Sequence, residues 1–374
     1  MNTQIDIAVV GAGIAGLWVF HRLKRMGYDA VLLENSGIGG GQSIASQGIL
    51  HSGLKYSLAG QVNDLARSIS AMPDVWRDAL RGDGDVDLST ARIAADSQHL
   101  LIPKGFMGGL VKLVTQKALG GGVHEVARED WPDSVKESGF NGSVIFMSEP
   151  VLDVPSVIRA LAEPYRDCII NATPEEINAK RVIYTAAASN AAFAETRGDD
   201  AGLKTQHRPL LQGMIKNAPY PLYAHLVGKS DKPVATITTH TAADGSLVWY
   251  LGAAVAERSK EADPQEVYDA AKAALRKYLP AVNIDGFEWA VLPIDRVEGK
   301  SATQNHLPDT PTLHKAGDSL YCWPTKLTFA PMLGDMVVDW LDIAPSGAVS
   351  DFSNFEKAGY AKAPWDMATW KSDA

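Results

Sequence analysis

The sequence predicts a mixed α/β fold in which a domain built on a parallel sheet is interleaved with a domain built on an antiparallel sheet. β-α-β patterns occur at the start, in part of the middle and at the end of the chain. A block of alternating β-forming residues lies between them. The 374 residues are enough for two intertwined domains.

The first β-α-β unit begins close to the start of the sequence. Residues 5–10 form an almost continuous apolar run, typical of a strand buried on both faces of a parallel sheet. A glycine-rich turn follows, and residues 14–26 have apolar side chains at helical spacing. Residues 30–33 form a second apolar run that ends at Glu34. This order predicts a Rossmann-like unit.

The following elements are predicted from shorter patterns. Residues 65–80 are expected to be helical, with Pro73 restarting the helix, and residues 91–147 to form short runs with turns between them. Residues 149–165 predict an extended piece and a helix that opens near Pro155. Further predicted elements are strands at residues 168–171, 181–185 and 319–323 and a closing helix at 331–341.

Residues 210–256 alternate in the manner of antiparallel strands, with a hairpin-turn signal at Asp244-Gly245. Asp263 is a predicted helix cap, with Glu266 as its reciprocal acid. These patterns divide the chain into five segments. We expect residues 1–90, 149–205 and 301–374 to form the nucleotide-binding domain, and residues 91–148 and 206–300 to form the substrate domain.

The glycine turn has the G-x-G-x-x-G spacing of a dinucleotide site at Gly11, Gly13 and Gly16. Such glycines let the backbone approach a pyrophosphate, which the helix N-terminus attracts. Glu34 stands where a carboxylate accepts ribose hydroxyls, and its charge argues against NADP. The alternative is a tight glycine turn in another kind of α/β protein, and the turn alone does not separate FAD from NAD.

Composition excludes several classes of function. The net charge of −9 argues against nucleic-acid binding. Cys168 and Cys322 cannot form a disulfide framework or a four-ligand zinc site, so we expect a reducing, cytoplasmic setting. His306 and His314 lack metal-ligand spacing, and we predict no metal site. We also predict no transmembrane segment, while peripheral membrane contact stays open.

Two segments resemble a known group of flavoproteins. Residues 46–56, Ser-Gln-Gly-Ile-Leu-His-Ser-Gly-Leu-Lys-Tyr, are similar to the His-Gly-Gly-Leu-Arg-Tyr segment of FAD-dependent glycerol-3-phosphate dehydrogenases. They are equally similar to the Asn-Ser-Gly-Val-Ile-His segment of L-2-hydroxyglutarate dehydrogenases. Residues 324–335 resemble the C-terminal flavin loop of the same group, the D-amino-acid-oxidase-like superfamily.

The resemblance implies FAD as the cofactor and a glutathione-reductase-type FAD fold. It also implies a set of cofactor contacts, in which Thr185-Ala186-Ala187 departs from the family's usual Ala-Gly pair and Lys326 departs from its Gly-His or Gly-Gly. The implied contacts are Gly11, Gly13, Ile14, Ala15, Gly16, Glu34, Asn35, Gly41, Gln42, Ser43, Ser46, Gln47, Gly48, Ile170, Thr185, Ala186, Ala187, Lys326, Leu327 and Thr328.

Three residues are candidates for catalysis. His51 is the proposed base for the substrate proton, because an imidazole changes charge near neutral pH. The alternatives for it are a structural role or a covalent link to the flavin. Arg296 stands about where the superfamily has a Gly-x-Arg-Pro segment that holds a substrate carboxylate, and the alternative is a salt bridge to Asp295 or Glu298. Lys326 is expected to face the reduced flavin or a substrate anion.

Second-line substrate candidates are Lys55, Tyr56, His240 and Tyr250, of which the last two flank the predicted hairpin turn. Core packing is the alternative for Tyr250. The leading functional prediction is FAD-dependent oxidation of a small anionic substrate, a 2-hydroxy acid or glycerol 3-phosphate, by hydride transfer to flavin N5. The rivals are an amino-acid or amine oxidase, a flavin-binding protein without turnover, and a simple NAD-dependent dehydrogenase. The electron acceptor, oxygen or a quinone, stays open.

Overall fold

The computed structural model describes residues 4–51, 64–105, 122–230, 232–300, 310–324 and 326–372, with the backbone alone for residues 64–70. In chain order the described strands are β1 (Ile5–Val10), β2 (Ala30–Leu33), β3 (Ile93–Ala95), β4 (Gln98–Pro103), β5 (Val123–Val126), β6 (Gly142–Met147), β7 (Val151–Leu152), β8 (Ile169–Ile170), β9 (Ala179–Tyr184), β10 (Thr205–Lys216), β11 (Ala224–Leu226), β12 (Ala235–Thr241), β13 (Leu247–Gly252), β14 (Glu288–Gly299), β15 (Thr312–Ala316) and β16 (Ser319–Trp323). The described helices are α1 (Ile14–Arg25), α2 (Asp64–Arg81), α3 (Asp133–Glu137), α4 (Val154–Ala162), α5 (Asn190–Arg197), α6 (Pro264–Tyr278), α7 (Ala330–Trp340) and α8 (Pro364–Met367).

The first sheet has the strand order β15-β16-β9-β1-β2-β8. All its neighbours are parallel except β15 and β16. Every residue of β1 is buried, because α1 and its neighbours α4 and α7 cover one face of the sheet while a second apolar cluster covers the other. Burial on both faces explains why β1 is an unbroken apolar run.

The second sheet has the strand order β14-β10-β13-β12-β11-β4-β6-β5 and is antiparallel except between β11 and β4. One face, with Ile215, Trp249 and Leu251, packs on α6. The other face turns toward the first domain, where the Tyr250 hydroxyl donates to the Ala45 carbonyl at 2.8 Å. The mixed α/β fold predicted from the sequence is confirmed, while the five segment boundaries stay a prediction.

Two local expectations differ from the structure. Residues Asp64–Arg81 form one helix that contains Pro73, because Met72 and Trp76 on either side of the proline are both buried and hold its turns together. Asp263 caps α6 by accepting from the Gln265 backbone N–H at 3.0 Å. The Glu266 carboxylate turns instead toward Arg258, 3.5 Å from its Nε, so the reciprocal acid of a capping box is not used.

A mostly irregular tail over residues 343–372 was not predicted from the sequence. It crosses both domains. Isolated bridges join Tyr360 to Ile38 and Lys371 to Trp289, in the first and second domains respectively. Such a segment has no periodic pattern to reveal it, because each contact is made by single residues. None of the helices in the described part of the chain is long and apolar enough to cross a membrane.

Asp6 ties the tail to the parallel sheet. It is 1% exposed. Its carboxylate accepts from Lys180 Nζ at 2.8 Å, from the Asp29 N–H at 3.0 Å and from the Ser346 hydroxyl at 2.6 Å. Burial by itself raises the pKa of Asp6, but these hydrogen bonds outweigh burial and lower the pKa to about 2.

We expect Asp6→Asn to lower the free energy of unfolding by about 2 kcal/mol at neutral pH. Because the folded-state pKa lies below the ordinary aspartate pKa of 3.8, the stabilisation is complete above that pH and is lost as the pH falls toward about 2. Urea unfolding of wild type and variant at several pH values measures the difference. A difference in the free energy of unfolding between the two proteins that stays constant from pH 6 to about pH 2 would contradict this linkage.

Candidate functional site

The glycine turn between β1 and α1 is packed so closely that two of its positions exclude a side chain. Gly11 has φ +95°, and a Cβ on it would lie 2.9 Å from the Ala186 Cα. A Cβ on Gly16 would collide with the Gly11 carbonyl oxygen. Because these positions carry no side chains, the backbone at the N-terminus of α1 is left uncovered beside β9. A pyrophosphate site requires such a backbone.

Glu34 is fixed beside this turn. One carboxylate oxygen accepts from the Ala12 N–H at 2.9 Å, and the other accepts from the N–H groups of Ser36 at 2.6 Å and Gly37 at 3.0 Å. The Glu34 N–H donates to the carbonyl of Ile170 in β8 at 3.0 Å. The half-buried carboxylate thus lies at the carboxyl end of β2, next to the exposed Asn35, where the ribose hydroxyls were predicted.

Thr185 and Ala187 hold the other side of the turn. The Thr185 hydroxyl bridges the carbonyls of Val10 and Gly11 at 2.9 and 2.8 Å. Ala187 lies in the segment where the resemblance implies an Ala-Gly pair, and it adopts φ +47°. Glycine adopts that left-handed conformation without strain. The backbone at Ala187 therefore has a conformation that favours glycine, although the residue is alanine.

Residues 41–48 wrap around the start of α1. The Ser43 hydroxyl accepts from the Ile14 N–H at 2.8 Å. Gln47 reaches the second domain, where its amide donates to the carbonyls of Thr236 at 3.1 Å and Tyr250 at 3.0 Å. Gly41 and Gly48 both have positive φ. The loop therefore connects the glycine turn to the face of the large sheet. The remaining predicted contacts in this region are Ala15, which is buried in α1, and Gln42, which is half-buried.

The C-terminal loop lies between β16 and α7. A short helical turn at Leu327–Phe329 leads into α7. Thr328 is 2% exposed, and its carbonyl accepts from Trp76 Nε1 at 3.0 Å. The side chain of Lys326 is exposed, with its ammonium 5.5 Å from the centre of the Phe329 ring.

These residues fit FAD on two independent observations. The close approach at Gly11 and Gly16 leaves a backbone cradle, and two predicted contacts carry buried hydroxyls with unused hydrogen-bonding capacity. Within the described residues, Ser46 Oγ and Thr328 Oγ1 are buried with no hydrogen-bond partner. Buried polar groups are nearly always paired, so such atoms indicate a missing ligand or water.

His51 lies at the end of the loop that contains Gln47 and Gly48. Its Nδ1 is 3.2 Å from Glu149 Oε2, and its side chain is 50% exposed against 7% for Glu149. Glu149 was not singled out in the sequence. It follows β6, 98 residues away from His51, and no local pattern brings the two together.

Arg296 lies in β14 directly opposite Arg208 in β10. Its Nε donates to the Arg208 carbonyl at 3.3 Å. Burial, and then the charge of Arg208, lower the pKa of Arg296. The predicted alternative partners have other contacts: Glu298 binds Arg208 at 2.8 Å, and Asp295 binds His207 at 2.8 Å.

The second-line candidates separate into two groups. His240 and Tyr250 are buried in the interface between the domains, and the His240 ring stacks on Trp365 with 4.1 Å between ring centres. Burial lowers the pKa of His240 to about 3, which keeps its ring neutral, and raises the pKa of Tyr250. Both side chains are therefore enclosed by neighbouring residues, and their predicted substrate contact stays a prediction. Lys55 and Tyr56 lie outside the described residues.

Two buried glutamines were also missed in the sequence. Gln98 in β4 and Gln212 in β10 are 0% and 4% exposed. Among the described residues, both amide atoms of Gln98 and Nε2 of Gln212 have no hydrogen-bond partner. The sequence does not indicate that an isolated glutamine in a strand will be buried without a hydrogen-bond partner. No group of three His, Cys, Asp or Glu side chains that could hold a metal ion is found in the described ranges.

Comparisons with known proteins agree with this geometry. The family model described as FAD dependent oxidoreductase matches residues 6–340. A probable FAD-dependent oxidoreductase of Pseudomonas aeruginosa, PA4991, is 37% identical over 386 aligned positions, which cover 97% of this chain and 98% of that protein. Its crystal structure superposes with a TM-score of 0.82 and 33% identity, covering 98% of this chain and 99% of that one.

More distant structures share the fold alone. Glycine oxidase from Geobacillus kaustophilus has a TM-score of 0.61 at 15% identity, covering 96% of this chain and 100% of that one. L-α-glycerophosphate oxidase from Mycoplasma pneumoniae, solved with FAD bound, has a TM-score of 0.62 at 12% identity, covering 96% and 99%. Both an amine and an alcohol substrate class therefore occur on this fold.

We expect Glu34→Ala to raise the Kd for FAD by about 10- to 100-fold, because the carboxylate predicted to accept the ribose hydroxyls is removed. Titration of apoprotein with FAD measures the change, and Glu195→Ala, an exposed glutamate in α5, is the matched control. An unchanged Kd in Glu34→Ala would remove the ribose assignment.

Thr328→Val tests whether the buried hydroxyl serves the cofactor. The variant should keep or raise the stability of the apoprotein and should weaken its binding of FAD. The variant keeps the shape of the side chain, so the apoprotein should be as stable as wild type or more stable by up to about 1 kcal/mol. The Kd for FAD should rise about 5- to 10-fold. Loss of apoprotein stability with unchanged FAD affinity would show that the hydroxyl serves the fold and not the cofactor.

Proposed function

Because this chain belongs to the family of FAD-dependent oxidoreductases, we propose that it oxidises a small anionic hydroxy compound of the 2-hydroxy acid or glycerol 3-phosphate type. The observation that supports this most directly is His51, a half-exposed imidazole beside a buried carboxylate at the end of the predicted flavin loop. Alcohol oxidation requires a base of this kind for the hydroxyl proton.

The substrate anion is assigned to Arg296. Arg208 and Arg296 face each other across β10 and β14, and Glu298 is bound to Arg208. The charged groups around Arg296 include Arg208, Glu298 and Glu257, and Glu257 also pairs with Lys232 at 2.7 Å. A guanidinium binds a carboxylate or phosphate through two parallel hydrogen bonds and keeps its charge at any physiological pH. Lys326 is assigned as a further cation, for the substrate or for the reduced cofactor.

These assignments give each residue a separate role in the proposed reaction. Arg296 orients the substrate, and His51 accepts the hydroxyl proton as the carbonyl of the product forms. Ser46 and Thr328 hold the cofactor through their buried hydroxyls. When bound, FAD supplies the acceptor for the hydride.

An amino-acid or amine substrate is the second candidate, because Arg296 would hold the carboxylate of an amino acid equally well. The fold shared with glycine oxidase is compatible with both candidates. The product separates them: an amine substrate yields an imine, and hence ammonia or a smaller amine, whereas a hydroxy substrate yields only a carbonyl compound.

The first experiment is anaerobic mixing of the purified holoprotein with a panel of substrates. The panel contains 2-hydroxy acids, glycerol 3-phosphate, glycine, and D- and L-amino acids. We expect flavin absorbance to bleach with a hydroxy compound and without release of ammonia. Bleaching by amines alone would replace the proposal with the second candidate, and bleaching by neither class would reject both.

His51→Ala should retain FAD but lower the rate constant of flavin reduction by about 10²- to 10⁴-fold, because the proton acceptor is removed. Stopped-flow reduction with the substrate identified by the panel measures it. Acid precipitation is the control for the covalent alternative. Flavin that stays in the wild-type pellet and moves to the supernatant in His51→Ala would make His51 a tether. A normal rate would make it structural.

A further inference from the structure

The His51 segment and the Glu149 segment run antiparallel as a short two-stranded piece. The Leu50 N–H donates to the Pro150 carbonyl at 2.9 Å, and the Leu152 N–H donates to the Gly48 carbonyl at 2.8 Å. Between these contacts, Ile49 and Val151 form an antiparallel bridge. In this register, moving one residue toward the C-terminus in one segment corresponds to moving one residue toward the N-terminus in the other.

This register places His51 directly opposite Glu149. Side chains on directly opposite residues of an antiparallel pair have Cβ atoms about 5 Å apart and lie on the same face. The backbone pairing therefore brings the two side chains within reach of each other, and the observed distance between His51 Nδ1 and Glu149 Oε2 is 3.2 Å. A carboxylate held at this distance from one ring nitrogen favours one orientation of the ring.

The two side chains differ sharply in exposure. Glu149 has 7% of its side chain exposed, whereas His51 has 50%. Burial of a carboxylate is costly unless hydrogen bonds or positive charge compensate it. The arrangement thus directs a buried carboxyl group at one edge of the imidazole and leaves much of the ring accessible.

We propose that Glu149 is a positioning residue that holds His51 in the tautomer with hydrogen on Nδ1, so that Nε2 is the atom that takes the substrate proton. This inference rests on the proposed function of His51 as the base. In the step, the substrate O–H proton moves to Nε2, and the hydride leaves the carbon for FAD as the C=O bond forms. Glu149 takes no proton, and its negative charge offsets that of the imidazolium.

A second imidazole–carboxylate pair in the chain provides a contrast. His207 Nδ1 is 2.8 Å from Asp295 Oδ2, and the two side chains are 59% and 23% exposed. Asp295 also binds Lys260 at 3.0 Å, so this pair is part of a surface charge network. His207→Gln removes an imidazole–carboxylate contact of similar geometry outside the proposed machinery and is the matched control.

The test is Glu149→Gln in the holoprotein. We expect the rate constant of flavin reduction to fall about 10- to 100-fold, as for other groups that orient a functional histidine. The substrate Kd should change less than about twofold, since no binding contact is removed. FAD content should be unchanged, which shows that the variant folds. Glu149→Asp should recover part of the rate, and His207→Gln should leave it at the wild-type value.

A double-variant cycle shows whether Glu149 acts through His51. Adding Glu149→Gln to His51→Ala should cause no further loss, because the residue that Glu149 orients is already absent. Equal loss in both backgrounds, or a normal rate in Glu149→Gln, would overturn the proposal. If His51→Ala itself reduces flavin normally, the proposed function of His51 has failed instead.

A measurement without turnover separates these two failures. The ¹⁵N spectrum of the His51 ring, assigned by its absence in His51→Ala, reports which nitrogen carries hydrogen. We expect the Nδ1–H tautomer in wild type and a mixed or reversed tautomer in Glu149→Gln. An Nδ1–H tautomer that is unchanged in the variant would overturn the role of Glu149, whatever the substrate proves to be.

Discussion

The structure depends on one close contact, where the glycine turn after β1 lies against the end of β9. Gly11 has no room for a side chain beside Ala186, and the Thr185 hydroxyl binds the carbonyls of Val10 and Gly11. These contacts bring two segments that are more than 170 residues apart in sequence to the same edge of the sheet. They place the N-terminus of α1, where the FAD phosphates are proposed to bind, at this edge of the sheet.

A second constraint is the way the loop after β2 joins the two domains. Ser43 binds the first N–H of α1, and four residues later Gln47 binds the carbonyls of β12 and β13. Because one short loop contacts both domains, the face of the large sheet is held close to the predicted flavin position. The buried amides of Gln98 and Gln212 lie on strands of that sheet, and their unused hydrogen-bonding capacity leaves them able to bind a ligand.

The proposed chemistry uses the same loop at its far end. His51 follows Gly48, and the pairing of residues 48–51 with residues 149–152 brings a buried carboxylate to its ring. Backbone hydrogen bonds that belong to the fold therefore bring the proposed base and its carboxylate together. Arg296 is placed independently, by the register of β10 and β14, so that proton removal and anion binding are assigned to different parts of the chain.

The sequence by itself determined the parts that depend on local patterns. The apolar runs of β1 and β2, the glycine spacing and Glu34 could be predicted, because a buried parallel strand and a phosphate turn each require particular residues at short, fixed spacings. The choice of FAD came from the resemblance of residues 46–56 and 324–335 to known flavoproteins, since the glycine turn alone does not separate FAD from NAD. Only the tertiary structure decided which carboxylate lies beside His51, that Glu298 forms its ion pair with Arg208, and that His240 is buried against Trp365. It also revealed the tail over residues 343–372. The physical reason is that these contacts join residues far apart in the chain, where strand register and domain packing, and not neighbouring residues, set the distance.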